Sequence, residues 1–213
     1  MKKFIKVFIL TVAVLSVFTG CASDSSNYEN SQYDSSDNFE QEYSVMETTP
    51  FSQYSITDTG YCGKNNESDI IWNYYSDISA IEFIGVGEIA DYSYYDQSND
   101  IPWYDYRESI QQVYISDGIT RIGNRVFEQF KSLTQINIPS SVTSIGEYQF
   151  WACDNLTDIY FSNSVVEIED CAFGACDSLS AIHYNGTQNE WDLINIAEDV
   201  FLNTTQEVSL YFE

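Results

Sequence analysis

The second half of the chain superposes on itself at a shift of 23 residues, and that periodicity limits the folds open to it more than any other feature. Three full units run Ile110 to Ser132, Leu133 to Asn155 and Leu156 to Ser178, and a fourth begins at Leu179. Equivalent positions form apolar columns: Ile110/Leu133/Leu156/Leu179, Val113/Ile136/Ile159/Ile182, Ile115/Ile138/Phe161/Tyr184, Ile119/Val142/Val165, Ile122/Ile145/Ile168 and Phe127/Phe150/Phe173. One unit is too small to bury its apolar edge alone. Neighbouring units therefore stack, and the columns become ladders inside one continuous core.

Within a unit, Leu133-Thr134-Gln135-Ile136-Asn137-Ile138 puts Ile136 and Ile138 on one face and Gln135 and Asn137 on the other, the alternation of a half-buried strand. Pro139 ends that strand, and Val142 to Ile145 gives a second short extended stretch. Gly146 is expected to turn the chain, and Glu147 to Ala152 to form a helical turn leading back.

The motif Leu-Thr-x-Ile-x-Ile-Pro-x-x-Val-Thr-x-Ile-Gly-x-x-x-Phe-x-x-Cys over Leu133 to Cys153 resembles the BspA-type leucine-rich repeats of bacterial and some protozoan surface and secreted proteins. Glu169 stands where Gly123 and Gly146 stand in earlier units, and Phe130 where Cys153 and Cys176 stand in later ones. The resemblance implies a β-rich leucine-rich-repeat solenoid of 23-residue coils, each a strand plus a short helical turn, spanning 110–184. A solenoid needs caps at both ends. Residues 56–109, with Trp72, alternating Ile81/Phe83 and Pro102-Trp103, resemble the aromatic segment that precedes such repeats and are assigned as a β-rich N-terminal cap. Residues 185–213 resemble the closing segment, with Trp191 in a short helix and Val208 to Phe212 as a last strand. Trp72, Trp103 and Trp191 are expected in the core rather than around a sugar.

Residues 1–20 read as an export signal: Lys2, Lys3 and Lys6 precede the apolar run Val7 to Phe18, which is too short to span a bilayer comfortably. Phe18-Thr19-Gly20-Cys21 resembles the bacterial lipobox, with Phe18 where the family has Leu, and implies lipidation of Cys21. Two acyl chains would hold the protein stably on a membrane. Residues 21–55 hold no basic residue and no periodicity, and are expected to be a disordered acidic tether reaching on the order of 30 Å. Loss of the three signal lysines takes the formal charge from −25 to −28, a balance that repels nucleic acid and anionic membrane.

Catalytic chemistry is sparse. His183 is the single histidine, and there is no nucleophile elbow, His-Glu-x-x-His motif or phosphate-cradling glycine loop, so no enzymatic role and no cofactor are expected. No Cys-x-x-Cys or Asp-x-Asp-x-Asp-Gly pattern suggests zinc or calcium. Cys62, Cys153, Cys171 and Cys176 remain once Cys21 is lipidated. Cys153 and Cys176 share a column in adjacent coils, within disulfide reach, but the family uses the position as a small buried ladder residue, so unpaired thiols are expected.

Two outward columns offer candidate contacts: Gln112/Gln135/Asp158/Ala181 and Tyr114/Asn137/Tyr160/His183. The family resemblance implies a lipid-anchored cell-surface protein that adheres to a protein or glycan on host or neighbouring cells. The alternatives are an envelope spacer without a specific ligand and a glycan-binding accessory module.

Overall fold

The computed structural model describes residues 6–9, 49–93 and 101–213. Cys21, most of the export signal and the tether through residue 48 lie outside the described residues. The strands, in chain order, are Lys6–Ile9 (β1), Asp58–Tyr61 (β2), Ile70–Tyr75 (β3), Ala80–Gly85 (β4), Gly87–Glu88 (β5), Gln112–Ile115 (β6) and Ile119–Ile122 (β7). They continue with Gln135–Asn137 (β8), Ser144–Ile145 (β9), Asp158–Ser162 (β10), Glu167–Ile168 (β11), Ala181–Asn185 (β12), Asn195–Ile196 (β13) and Ser209–Phe212 (β14). One α-helix, Gln188–Trp191 (α1), is opened by a Thr187–Glu190 capping box.

The chain coils into a β-solenoid in which successive coils donate strands to two parallel stacks. One stack runs β8-β10-β12-β14-β1, and the other β5-β7-β9-β11-β13. Strand β6 lies beside β8 and pairs in parallel with β4, which itself joins β3 and β2 as an antiparallel meander. Parallel stacking therefore begins at Ala80, upstream of the first full repeat. The register follows the sequence columns: Ile159 lies opposite both Ile136 and Ile182, and Ile182 opposite Leu210. Alternation along each strand sends one set of side chains inward. Ile159 and Phe161 are buried, whereas Asp158, Tyr160 and Ser162 between them are only half-buried.

The core is a ladder. Phe127, Phe150, Phe173 and Phe201 follow one another at 5.5, 5.8 and 5.6 Å between ring centroids. Each buried ring of this size contributes about 2–3 kcal/mol relative to exposure. At the N-terminal end Trp103 is fully buried, meets Phe83 and Tyr92 edge-on, and donates its Nε1–H to the Val126 carbonyl at 2.9 Å. Trp72 and Trp191 are also buried, so Trp72, Trp103 and Trp191 all serve packing.

The return segment Glu147–Ala152 differs from expectation, because it is not a helical turn. Tyr148 and Ala152 have φ of 53° and 56°, as do their equivalents Arg125 and Gln129 (62° and 61°) and Cys171 and Ala175 (55° and 54°). These left-handed residues break any helix and aim alternate N–H groups at the next coil. Tyr148, Phe150 and Ala152 donate to the Asp170, Ala172 and Gly174 carbonyls, as Arg125, Phe127 and Gln129 donate to Glu147, Gln149 and Trp151. A third inter-coil hydrogen-bonded ladder results, and it satisfies backbone groups that the short strands leave over. Gly146 has no positive φ. A side chain there would meet Asn124 Oδ1 at 2.6 Å, so the glycine marks close approach of the preceding coil and not a turn.

Cys62, Cys153, Cys171 and Cys176 are free, buried thiols, in agreement with the unpaired reading. Cys153 and Cys176 occupy one column, and each donates to the carbonyl of the phenylalanine one coil back, Phe127 at 3.1 Å and Phe150 at 2.9 Å. Burial pushes the Cys62 and Cys176 thiols up to about 12, and Cys153 well above its ordinary value.

Thr49–Tyr54, expected to be tether, instead forms a pair of turns. Phe51 is buried against Tyr75 and Ala80, with Tyr114 alongside, and its ring lies 5.7 Å from that of Tyr75. A strap of chain thus lies against the sheet formed by β3, β4 and β6.

Candidate functional site

Because β4 and β6 keep register with each other, and β8, β10, β12 and β14 with one another, every second residue on the outer face of each set falls into line with its counterparts. The pairings divide the predicted column Tyr114/Asn137/Tyr160/His183: they place Asn137, Tyr160, His183 and Tyr211 in one outward row and Tyr114 beside Glu82 in another, and the two rows meet where β6 and β8 lie side by side without pairing. The added members, Glu82 and Tyr211, were available in the sequence, since the alternation of Ile81/Phe83 and of Leu210/Phe212 fixes which neighbours face out. Tyr160, His183 and Tyr211 stack nearly in parallel, at 4.3 Å and 11° for the first pair and 5.1 Å and 15° for the second.

His183 is held through one ring nitrogen. Its Nε2 donates to Asp158 Oδ1 at 2.9 Å, and its Nδ1 lies 3.6 Å from Glu213 Oε1. Asp158 belongs to the other predicted column, so its role is to fix the imidazole rather than to project freely. Burial, then the Asp158 and Glu213 charges, raise the Tyr160 phenol above its ordinary value and keep it a neutral hydrogen-bond donor.

Two open grooves meet on this face. The first, of about 410 Å³, is lined by Tyr114, Asp117, Asn137, Tyr160, His183 and Glu213 among others. The second, of about 470 Å³, is lined by Phe51, Gln112, Tyr114, Gln135, Asn137 and Tyr160 among others. Tyr114, Asn137 and Tyr160 belong to both. Gln112 and Gln135 lie exposed beside them, while Ala181, the last member of its column, is buried. Phe51 and Asp117 escaped sequence reasoning: the first is a lone aromatic in an acidic stretch, and the second lies outside the repeating strand.

No lysine or arginine lines either groove. The basic residues of the repeat region and the segment before it are committed elsewhere. Lys64 contacts Glu88 and Asp91 at 3.1 and 3.2 Å, and Arg121 contacts Asp91 at 2.6 Å and Glu169 at 3.6 Å. Arg125 pairs with Glu128 at 3.0 Å and lies over Tyr148, Lys131 pairs with Glu108 at 3.7 Å, and Arg107 lies 3.4 Å over the Tyr104 ring. Burial alone would raise the Asp91 carboxyl, but hydrogen bonds from Arg121 and the Asn124 N–H outweigh it and hold the group below its ordinary value.

At the strap end Glu82 is almost fully buried. Its Oε1 accepts from Asn73 Nδ2 at 2.9 Å and from the Tyr75 hydroxyl, and its Oε2 has no partner. Among the described residues no group of three or more His, Cys, Asp or Glu side chains is placed to hold a metal ion. No described helix is long and apolar enough to cross a membrane.

Comparison with known proteins agrees with this architecture. The family model described as BspA type Leucine rich repeat region matches residues 102–213 in six copies, extending the repeat region beyond 110–184 in both directions. Among solved structures, a leucine rich cell surface protein from Faecalibacterium prausnitzii is 33% identical at a TM-score of 0.40, over 41% of this chain and 23% of that one. A leucine-rich repeat protein from Eubacterium ventriosum is 21% identical at 0.38, over 62% and 45%. The T. pallidum Leucine Rich Repeat protein is 19% identical at 0.39, over 70% and 86%. The chain thus spans less than half the length of the first two. No curated protein matches it. The match indicates no enzyme family and is consistent with a protein-interaction module, and the chain belongs to the BspA-type leucine-rich-repeat family.

Proposed function

We propose that this protein is a lipid-anchored module of the bacterial cell surface, which uses the outer face of strands β6, β8, β10 and β12 to adhere to a protein on host or neighbouring cells. The observation that carries the reading is the convergence of two grooves on Tyr114, Asn137 and Tyr160. Tyrosine gives contact area and a hydrogen bond at low entropic cost, and rigid strands hold it in place. Lipidation at Cys21 and the acidic stretch after it would raise this face above the membrane. Trp72, Trp103 and Trp191 are spent on packing, which weakens the glycan-accessory alternative.

The test is made on cells producing the full chain and exposed to immobilised host-matrix proteins. Replacing Tyr114 and Tyr160 together by alanine should lower adhesion at least about tenfold, since interface tyrosines commonly contribute more than 1 kcal/mol each. Cys21→Ala should release the protein into the medium. Adhesion that survives the double replacement at unchanged surface display would refute the assignment of the face, and retention of the Cys21 variant on cells would refute the anchor.

A further inference from the structure

We propose that the return segments carry a second binding site, a platform at Trp151 that takes the flat ring face of a neutral hexopyranose chain. This site lies apart from the strand face described above and does not depend on it.

The position of this tryptophan sets it apart. Trp72, Trp103 and Trp191 are buried, whereas Trp151 is only half-buried. The repeat asks for no aromatic ring there. Each return segment carries one phenylalanine of the ladder, Phe127, Phe150, Phe173 and Phe201, and the residues that follow them are Glu128, Trp151, Gly174 and Leu202. The column thus holds a carboxylate, an indole, no side chain and an exposed leucine, so stacking of the coils does not select the ring.

Its surroundings hold it in place. The Cε3–Cζ3 edge of the indole fills the space over Gly174 in the next coil, where a Cβ would come within 2.4 Å of both atoms. Tyr148 meets the ring at 5.3 Å and 63°. The Arg125 guanidinium lies 4.0 Å over Tyr148 and is itself fixed by Glu128 at 3.0 Å. Among the described residues the indole Nε1–H has no hydrogen-bond partner. A fixed ring with an unspent donor at its rim is the result.

The chemistry of that surface picks the occupant. The axial C–H groups of an all-equatorial hexopyranose carry a slight positive charge and stack on the electron-rich face of an indole. Hydroxyls at the rim of the sugar can accept from Nε1–H, and the Arg125–Glu128 pair beyond Tyr148 offers donors and acceptors to the adjoining sugar unit. An anionic sugar is disfavoured, because Arg125 is already neutralised by Glu128 and the chain carries a formal charge of −25. The apolar surface here consists of Tyr148, Trp151 and Leu202, the span of a few sugar rings and far short of the roughly 800 Å² that a stable protein interface covers on each partner.

The experiment titrates the full chain with cellohexaose and follows tryptophan fluorescence and calorimetry. Because Trp72, Trp103 and Trp191 are buried, the response should come from Trp151: a saturable blue shift and protection from acrylamide quenching. Trp151→Ala should abolish that shift and weaken binding at least about tenfold, while Trp151→Phe, which keeps a ring, should stay within about fivefold. Hexagalacturonate, the anionic counterpart, should bind at least about tenfold more weakly than cellohexaose. Replacing Tyr114 and Tyr160 together by alanine should change sugar binding less than about twofold, since those residues lie on the strand face. Thermal melts establish that each variant is folded. No saturable response up to about 10 mM cellohexaose, full binding by Trp151→Ala, or equal binding of hexagalacturonate would overturn the proposal. Loss of sugar binding in the Tyr114 and Tyr160 variant alone would move the site to the strand face and overturn it as well. Sugar binding that persists at Trp151 while adhesion ignores Tyr114 and Tyr160 would leave this site standing and refute only the strand face.

Discussion

At the scale of single residues, the repeat's glycines separate two demands that a sequence cannot distinguish. Gly146 reads as a turn residue, yet its backbone is ordinary and its reason for being glycine is the neighbouring coil. Gly123 is the stricter case. A Cβ there would lie 2.1 Å from the Ala90 carbonyl oxygen and 2.5 Å from its carbon, both backbone atoms, whereas at Gly146 the nearest atom is the rotatable Asn124 amide. Gly123→Ala should therefore destabilise by about 2–3 kcal/mol and Gly146→Ala by about 1 kcal/mol, both read from urea denaturation. Equal losses would mean that the coils relax around either site. Glu169 can occupy the equivalent position of the next coil, where its carboxylate lies 3.6 Å from Arg121, so the requirement loosens along the stack.

Elements differ in how much of themselves they write into the chain. Strands β8, β10 and β12 were legible because half-buried strands must alternate, and Ile136/Ile138, Ile159/Phe161 and Ile182/Tyr184 do so. The return segment was not legible, since its left-handed residues are Arg125, Gln129, Tyr148, Ala152, Cys171 and Ala175, none a glycine and most with ordinary helix propensity. Their conformation costs about 1 kcal/mol or more each, and at Arg125, Gln129, Tyr148 and Ala152 it is held by hydrogen bonds to the next coil, information that lies 22 residues away in sequence. The phenylalanine ladder anchors this segment from beneath. Phe150 is fully buried between Phe127 and Phe173, while Phe201 at the end of the row is only half-buried. Phe150→Ala should cost about 3–5 kcal/mol and Phe201→Ala roughly half as much. A loss at Phe201 as large as that at Phe150 would show that the terminal coil carries as much of the cooperativity as the middle.

Over the whole molecule, the formal charge of −25 sets ion pairs and repulsion against each other in their response to salt. Most of the outer column could be read from the repeat, but the groove could not, because it depends on Phe51 reaching back over Tyr114 and on where the five bases of the folded part lie. Lys64, Arg121, Arg125 and Lys131 are paired with carboxylates and Arg107 lies over the Tyr104 ring, and the exposed carboxylates left over repel one another. Screening weakens both effects, so their relative size decides the sign. Solvent-exposed pairs such as Lys64–Glu88 and Lys131–Glu108 contribute about 0–1 kcal/mol each, whereas repulsion is summed over the excess of acids at distances within the roughly 30 Å Debye length at 0.01 M salt. At 0.15 M that length falls to about 8 Å and most of the repulsion is gone. The melting temperature should therefore rise by about 3–6 °C between 10 and 150 mM sodium chloride, an effect of roughly 1–2 kcal/mol in a chain of this size. A melting temperature that drops with salt would place the ion pairs, and Arg121 with Asp91 and Glu169 above all, ahead of repulsion as the electrostatic determinant of the fold.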